Sequence, residues 1–238
     1  MRIEQSEFHD QLVRGLTHKM NNILSLFHGY LGLLMEDKKL DRNTLAGLLR
    51  IRDSADAASK LMDRTKALAT PSSSAWRQIG PEDFFRSLQP SLQLFVERGI
   101  QLEIACDPGV SDFWVDAGRL RMAVKEIVKN ACEASPANGT VEISVKPHTR
   151  PVRTRGRRAT SPPITWTAIS VTDSGAGIPT DLNAKIFQPF FSTKNKRDSL
   201  GLGLSVALGL VQQLGGAIRL RSKPGKTTVK VLLPSRAG

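Results

Sequence analysis

Apolar side chains in the first 70 residues recur at helical spacing. From Ser6 to Glu36 they fall at intervals that keep to one helical face, at Leu12, Leu16, Ile23, Tyr30 and Leu34. A second apolar run extends from Thr44 to about Leu68. Because only residues 38–43 separate the two runs, the pattern predicts an antiparallel helical hairpin. Two helices bury little area alone, so we expect a homodimer in which two hairpins form a four-helix bundle.

Beyond residue 75 the pattern changes to strands alternating with helices. Residues 71–75 are rich in Ser and include a Pro, which is typical of a linker. Strands are predicted at 100–104, 140–146, 164–171, 218–221 and 227–233. Helices are predicted at 81–98, at 115–134, and from the glycine-containing stretch 200–205 to about residue 214. The predicted fold class is therefore α+β, with a hairpin over 1–70, a linker over 71–75 and an α/β domain over 76–238.

Composition narrows the class of protein. The 238 residues are 40% hydrophobic and 24% charged, as in ordinary globular proteins. No apolar run approaches the roughly 18 residues that a membrane helix needs, and the N-terminus lacks a signal-peptide core, so we expect a cytoplasmic protein with no membrane insertion. The two cysteines and four histidines lack metal-ligand spacing, which argues against a zinc site.

The net charge of +12 suits an anionic partner. Residues 146–158 contain one lysine and five arginines without a single acid, among Pro and Gly, and predict a mobile hairpin loop. This loop either binds anions or is simply solvated, and solvation is the favoured interpretation. Since it lacks interleaved aromatic residues, nucleic-acid binding is the least favoured class of function.

A glycine-rich turn follows the predicted strand that ends at Val171. Asp173, Gly175 and Gly177 alternate there with small residues, and Pro179 closes the turn. A carboxylate at the end of a buried strand is costly unless a group donates to it, and a purine amino group would be such a donor. Glycines let a ligand approach the main chain closely. Taken alone, the same turn is equally typical of an ordinary strand end.

Two further patterns carry candidate chemistry. His18 lies away from the apolar stripe of the first helix, with Asn21 and Asn22 at i+3 and i+4, and a neutral imidazole there could accept a phosphoryl group. An isolated surface histidine is nevertheless more often without function. Glu126 and Asn130 are i, i+4 neighbours whose oxygens could hold a magnesium ion and its water, or form an ordinary polar helix face.

Four stretches together resemble the N, G1, F and G2 boxes of the histidine-kinase branch of the GHKL ATPases. They are residues 126–134, 173–179, 187–191 and 201–204, in that order along the chain. Residues 18–24 resemble the phosphoacceptor box that this family carries on its dimerising helical hairpin. The resemblance covers nearly the whole chain, and it implies a dimeric hairpin followed by a GHKL-type α/β sandwich with a mixed sheet.

The resemblance also implies roles for individual residues. Asp173 would receive the adenine amino group of ATP, Gly175 and Gly177 would shape the adenine pocket, and Asn130 would ligate Mg²⁺ with Glu126 alongside. Gly201 and Gly203 would border the phosphates beneath a short lid over residues 194–200, which begins at Lys194. Thr227 or Thr228 would approach the adenine, and of these we assign Thr228.

His18 would take the γ-phosphoryl group and pass it to an aspartate on the receiver domain of a response regulator. The family usually has an acidic residue directly after this histidine, whereas the chain has Lys19. We therefore expect slow autophosphorylation. Asn22 matches the position at which related kinases with phosphatase activity hold a carboxamide that orients the attacking water.

The alternative function is a dimeric phosphotransfer adaptor of the same fold with weak or no use of ATP. Asp173 and the glycines argue against it, and Lys19 argues mildly for it. No sensory domain precedes His18 in the sequence, so we expect either an upstream sensor protein or a longer parent chain.

Overall fold

A computed structural model describes residues 2–37, 39–69, 76–93, 99–148, 166–193 and 201–234, without the side chains of 2–12, 14 and 69. The chain divides into two compact units, Met1–Pro71 and Ser72–Gly238. The predicted features that lie outside these residues, wholly or in part, include the 71–75 linker, most of the arginine-rich loop, the 194–200 lid with Lys194, and the last turn of the helix predicted at 81–98.

The first unit is a hairpin of two helices, α1 (Arg2–Met35) and α2 (Arg42–Ala69). The α1 residues buried against α2 are Thr17, Leu24 and Leu31, at a strict spacing of seven, and Ala55 is buried from α2. Asp41 caps α2, since its Oδ1 accepts from the backbone N–H groups of Asn43 and Thr44 at 2.8 and 3.0 Å. Hydrogen bonds from Thr44 lower the pKa of Asp41.

The apolar stripe predicted on the first helix is not the one that packs against α2. Leu16, Ile23, Tyr30 and Leu34 point away from α2 and are 48–68% exposed. The stripe that holds the hairpin lies roughly a quarter turn around α1 from them. A single copy of the chain therefore leaves a continuous apolar surface uncovered.

The second unit contains three helices and seven strands among the described residues. The helices are α3 (Pro81–Gln93), α4 (Ala117–Ala134) and α5 (Gly203–Gln213). The strands are β1 (Trp76–Ile79), β2 (Gln101–Cys106), β3 (Phe113–Asp116), β4 (Thr140–His148), β5 (Trp166–Asp173), β6 (Ala217–Lys223) and β7 (Lys226–Pro234). Two short 3₁₀ turns, Thr180–Leu182 and Lys185–Phe187, follow β5.

Five strands form a mixed sheet in the order β2-β4-β5-β7-β6. Only β2 and β4 are parallel, and the other neighbours are antiparallel. The α+β class, the helical hairpin and the mixed sheet are confirmed. The sequence analysis missed β1 and β3, which pair with each other outside the main sheet.

One face of the sheet forms the core with α4 and α5. Alternate strand residues such as Ile143, Ile169 and Val231 are fully buried there, as are Ile127 of α4 and Leu210 of α5. The two helices also pack against each other. We call this side of the sheet the helix face and the opposite side the outer face. No helix within the described residues has the length and apolarity required to cross a membrane.

The helix α4 begins at Ala117, two residues after the predicted start at residue 115. Asp116 precedes it as the N-cap, and its Oδ1 accepts from the N–H groups of Gly118 and Arg119 at 3.0 and 3.2 Å. Its other oxygen lies 3.3 Å from Nε of Arg119, and both side chains are nearly buried. These contacts fix the start of the helix that carries Glu126 and Asn130.

Candidate nucleotide site

A buried carboxylate ends the central strand β5. Asp173 is 6% exposed, and its Oδ1 accepts from the N–H of Gly175 at 2.9 Å. Burial raises the pKa of the Asp173 carboxyl, and the Gly175 hydrogen bond lowers it in part. The geometry suits an acceptor for a hydrogen bond from a ligand, because an uncompensated buried carboxylate is costly.

Gly175 and Gly177 are required by close packing of the main chain. A Cβ on Gly175 would lie 2.6 Å from the carbonyl oxygen of Ala134, at the end of α4. Gly177 has a φ of +86°, and a Cβ there would lie 2.7 Å from the carbonyl oxygen of Lys223. The glycine-rich turn is thus held between the end of α4 and the turn that joins β6 to β7.

Two hydrogen bonds tie the glycine-rich turn to the β6–β7 hairpin. Gly225 donates its N–H to the carbonyl oxygen of Gly175 at 3.0 Å, and Ile178 donates its N–H to Oγ of Ser222 at 2.8 Å. Ser222 Oγ also lies 2.8 Å from Oγ1 of Thr227. The hairpin therefore sets the position of the turn beside Asp173.

The strand register separates the two candidate threonines. Thr227 pairs with Asp173 across β5 and β7, on the helix face, and is 4% exposed. Thr228 pairs with Thr172 on the outer face, and their hydroxyl oxygens lie 3.0 Å apart. Of the two, Thr227 is the residue beside the carboxylate, so the structure does not support the choice of Thr228.

The structure brings Glu126 and Asn130 against the first residue of α5. A Cβ on Gly203 would lie 2.9 Å from Oε2 of Glu126 and 3.1 Å from Nδ2 of Asn130. Gly201 has a φ of +64°, and its Cβ would lie 2.7 Å from the carbonyl oxygen of Phe191. Carboxylate and amide oxygens are ligands that Mg²⁺ accepts, and N–H groups at a helix start suit phosphate oxygens.

The acidic and amide groups here do not form a complete metal site. Among the described residues, no three His, Cys, Asp or Glu side chains cluster closely enough to hold a metal ion. The residues fit Mg²⁺ as a partial ligand set, since this ion keeps several waters and usually binds through one or two carboxylates plus substrate phosphates.

Sequence analysis missed two residues near Asp173. Ser222 joins Thr227 to the glycine-rich turn, and only the strand register could have identified it. Cys132 on α4 is 4% exposed, and its pKa is raised by burial and then by the charges of Glu133 and Asp173. The sequence analysis considered Cys132 only as a metal ligand, which its spacing argues against.

The candidate phosphoacceptor lies in the other unit. His18, Lys19 and Asn22 are exposed on α1, whereas Asn21 is half-buried. The exposure of His18 agrees with a position off the hairpin contact.

Comparison with known proteins places this geometry in a family. Residues 115–237 match the family described as histidine kinase-, DNA gyrase B- and HSP90-like ATPases. The matched stretch contains Glu126, Asn130, Asp173 and Gly203.

The curated relatives of the chain include sensor kinases. The chain is 29% identical over 228 residues to sensor kinase CckA of Brucella abortus, covering 94% of this chain and 24% of that protein. It is 28% identical over 225 residues to the sensory histidine kinase/phosphatase NtrB of Vibrio alginolyticus, covering 94% and 61%. The chain thus spans only part of the length of either relative. Full-length ShkA, solved in complex with AMPPNP, shares the fold with a TM-score of 0.71 and 22% identity over 96% of this chain and 46% of that one.

Gly177→Ala should destabilise the second unit more than Gly225→Ala. Both glycines have positive φ, at 86° and 79°, so each alanine meets backbone strain of about 1–2 kcal/mol. Only at Gly177 would the Cβ also meet main-chain atoms, and overpacking adds about 1–3 kcal/mol. Urea unfolding followed by tryptophan fluorescence reports this unit alone, because Trp76, Trp114 and Trp166 all lie in it. Equal losses would contradict the proposed contact with the hairpin.

Asp173→Asn should leave the free energy of unfolding of the unliganded protein unchanged or higher at pH 7. The amide keeps an oxygen to accept from Gly175 and removes a buried charge. The pKa of Asp173 is higher in the folded state than in the unfolded state. The wild type therefore loses stability as the pH rises from the unfolded-state pKa to the folded-state pKa. The advantage of the variant should therefore shrink as pH falls through that window. A variant that is less stable by a pH-independent amount would contradict this account.

Proposed function

The chain belongs to the histidine kinase-, DNA gyrase B- and HSP90-like ATPases, and from this membership we propose that it is an ATP-dependent protein histidine kinase. The observation that carries the proposal is the buried Asp173 carboxylate beside a glycine-rich turn, in the same compact unit as the junction of Glu126, Asn130 and Gly203. An adenine acceptor and a phosphate-binding helix start are the two ends of a nucleotide site.

Adenine recognition would centre on Asp173. Its carboxylate would accept from the adenine amino group. Gly175 and Gly177 let the turn pack closely beside Asp173, because a side chain at either position would collide with main-chain atoms. In this proposal Thr227 replaces Thr228, since Thr227 lies opposite Asp173 and its hydroxyl is already within hydrogen-bonding distance of Ser222.

Asn130 and Glu126 would hold Mg²⁺ at the phosphate end of the site. The ion would supply positive charge to the phosphate oxygens as the γ-phosphoryl group is transferred. The N–H groups at Gly201 and Gly203 would bind phosphate oxygens at the start of α5. Lys194 would contribute from the lid. ShkA, whose structure contains the ATP analogue AMPPNP, supports ATP as the nucleotide.

His18 would be the phosphoacceptor. A ring nitrogen attacks the γ-phosphorus, an N–P bond forms, and the bond to the bridging oxygen breaks to release ADP. The phosphoryl group then passes to an aspartate on the receiver domain of a response regulator, with an upstream sensor protein as the source of the signal. The kinases among the relatives favour this function over a phosphotransfer adaptor that does not use ATP.

The uncovered stripe on α1 supports a homodimer. Its members, which include Leu16, Ile23, Phe27 and Tyr30, are large apolar side chains 48–68% exposed in a single copy. A contiguous apolar surface of this kind marks an interaction site. Pairing with a second hairpin would bury it in a four-helix bundle.

Ile23→Glu combined with Phe27→Glu should convert the dimer into a monomer, because two buried charges would face the partner helix. Light scattering at micromolar concentration measures the change. Ser25→Glu is the control, since Ser25 lies on the other side of α1 and should leave the dimer intact. A monomeric wild type would contradict the four-helix bundle.

Lys19→Glu should accelerate autophosphorylation, because the carboxylate could take the proton of His18. A positioned general base contributes about 10²–10⁴-fold, and we expect a gain of at least about tenfold at unchanged ATP affinity. Lys39→Glu makes the same charge change in the exposed inter-helix turn and should have little effect. An unchanged or lower rate in Lys19→Glu would contradict this role.

Asn22→Ala should slow dephosphorylation of the phosphorylated regulator by about 10²-fold, the scale of losing a positioned reactant. Phosphorylation of His18 should be spared. NtrB, a kinase and phosphatase by name, motivates the experiment. Ser25→Ala, one helical turn further along α1, is the matched control. Loss of autophosphorylation with intact dephosphorylation would refute the assignment.

A further inference from the structure

The outer face of the sheet is strongly basic on β6 and β7. Five cationic side chains project from it: Arg219, Arg221, Lys223, Lys226 and Lys230. The first four are exposed and Lys230 is half-buried. We call this set the basic face.

The cations of the basic face have no ion-pair partner within the described part of the chain. The register places Arg219 opposite Lys230 and Lys223 opposite Lys226. Like charges directly opposite each other destabilise a sheet, so folding alone does not account for this arrangement.

The cations line a concave site. They line a cavity of about 670 Å³, together with Pro147 and His148 of β4, Ser222 of β6 and Thr228 of β7. This volume lies in the range of small-molecule sites, about 300–1,000 Å³. No Phe, Tyr or Trp contributes to the described lining, which disfavours stacking of single-stranded bases.

Five convergent cations on the described strands match a ligand with several negative charges rather than a single carboxylate.

We propose that the basic face is a second anion site, which binds a small ligand bearing two or more linked phosphate groups. The site is separate from the proposed ATP site, because the register puts Thr228 and Thr172 on the outer face and Thr227 and Asp173 on the helix face. It therefore stands whether or not the chain proves to be a kinase.

Isothermal titration calorimetry of the full chain with inorganic tripolyphosphate tests the proposal. Arg219→Gln combined with Arg221→Gln should weaken binding at least about tenfold, since two charges at contact distance are removed. Both side chains are exposed, so the fold should tolerate the change. Arg219→Lys combined with Arg221→Lys should retain binding within about threefold, because the charges remain.

A matched control removes two exposed cations elsewhere in the same unit, by Arg77→Gln combined with Lys185→Gln. It should change the affinity by less than about threefold, through net charge alone. Equal losses in the two glutamine pairs would overturn the proposal, as would absence of binding by the wild type. Tighter, more salt-dependent binding of a DNA duplex, lost in the same Arg219 and Arg221 variant, would also overturn it in favour of a nucleic-acid surface.

Discussion

The burial of one carboxylate organises the second unit. Asp173 ends a strand that lies in the middle of the mixed sheet, and its carboxylate accepts a hydrogen bond from the main chain of the turn that follows. Burial raises its pKa, so the unliganded protein bears a cost that a donor from a ligand would offset. The surrounding elements maintain this arrangement: the end of α4 contacts Gly175, and the β6–β7 hairpin contacts Gly177.

Close main-chain packing at glycines links the two ends of the candidate nucleotide site. At Gly175, Gly177 and Gly201 a side chain would meet backbone atoms closer than 3.0 Å. At Gly203 it would instead meet the side chains of Glu126 and Asn130. The packing of α4 on α5 therefore also positions the polar groups that could hold Mg²⁺, and the same core that stabilises the sheet shapes the site.

Much of this architecture follows from local sequence signals. Helix α4 was predicted because its apolar side chains recur at helical spacing, and β5 because it is β-branched and runs into a glycine-rich turn. Strands β1 and β3 have four residues each and pair outside the main sheet, so no alternation was long enough to identify them. The choice between Thr227 and Thr228 depends on register, which adjacent identical residues do not reveal. The stripe that joins α1 to α2 includes Thr17, which a hydrophobic pattern overlooks.

Incubation of the chain with Mg²⁺ and γ-labelled ATP, beside the His18→Ala variant, tests the central claim most directly. The proposed kinase predicts acid-labile label on the wild type and none on the variant, because a phosphohistidine N–P bond is hydrolysed in acid. Binding of ATP by both proteins would show that the variant retains its nucleotide site. Label that persists in His18→Ala, or a wild type that neither binds ATP nor takes up label, would contradict the account.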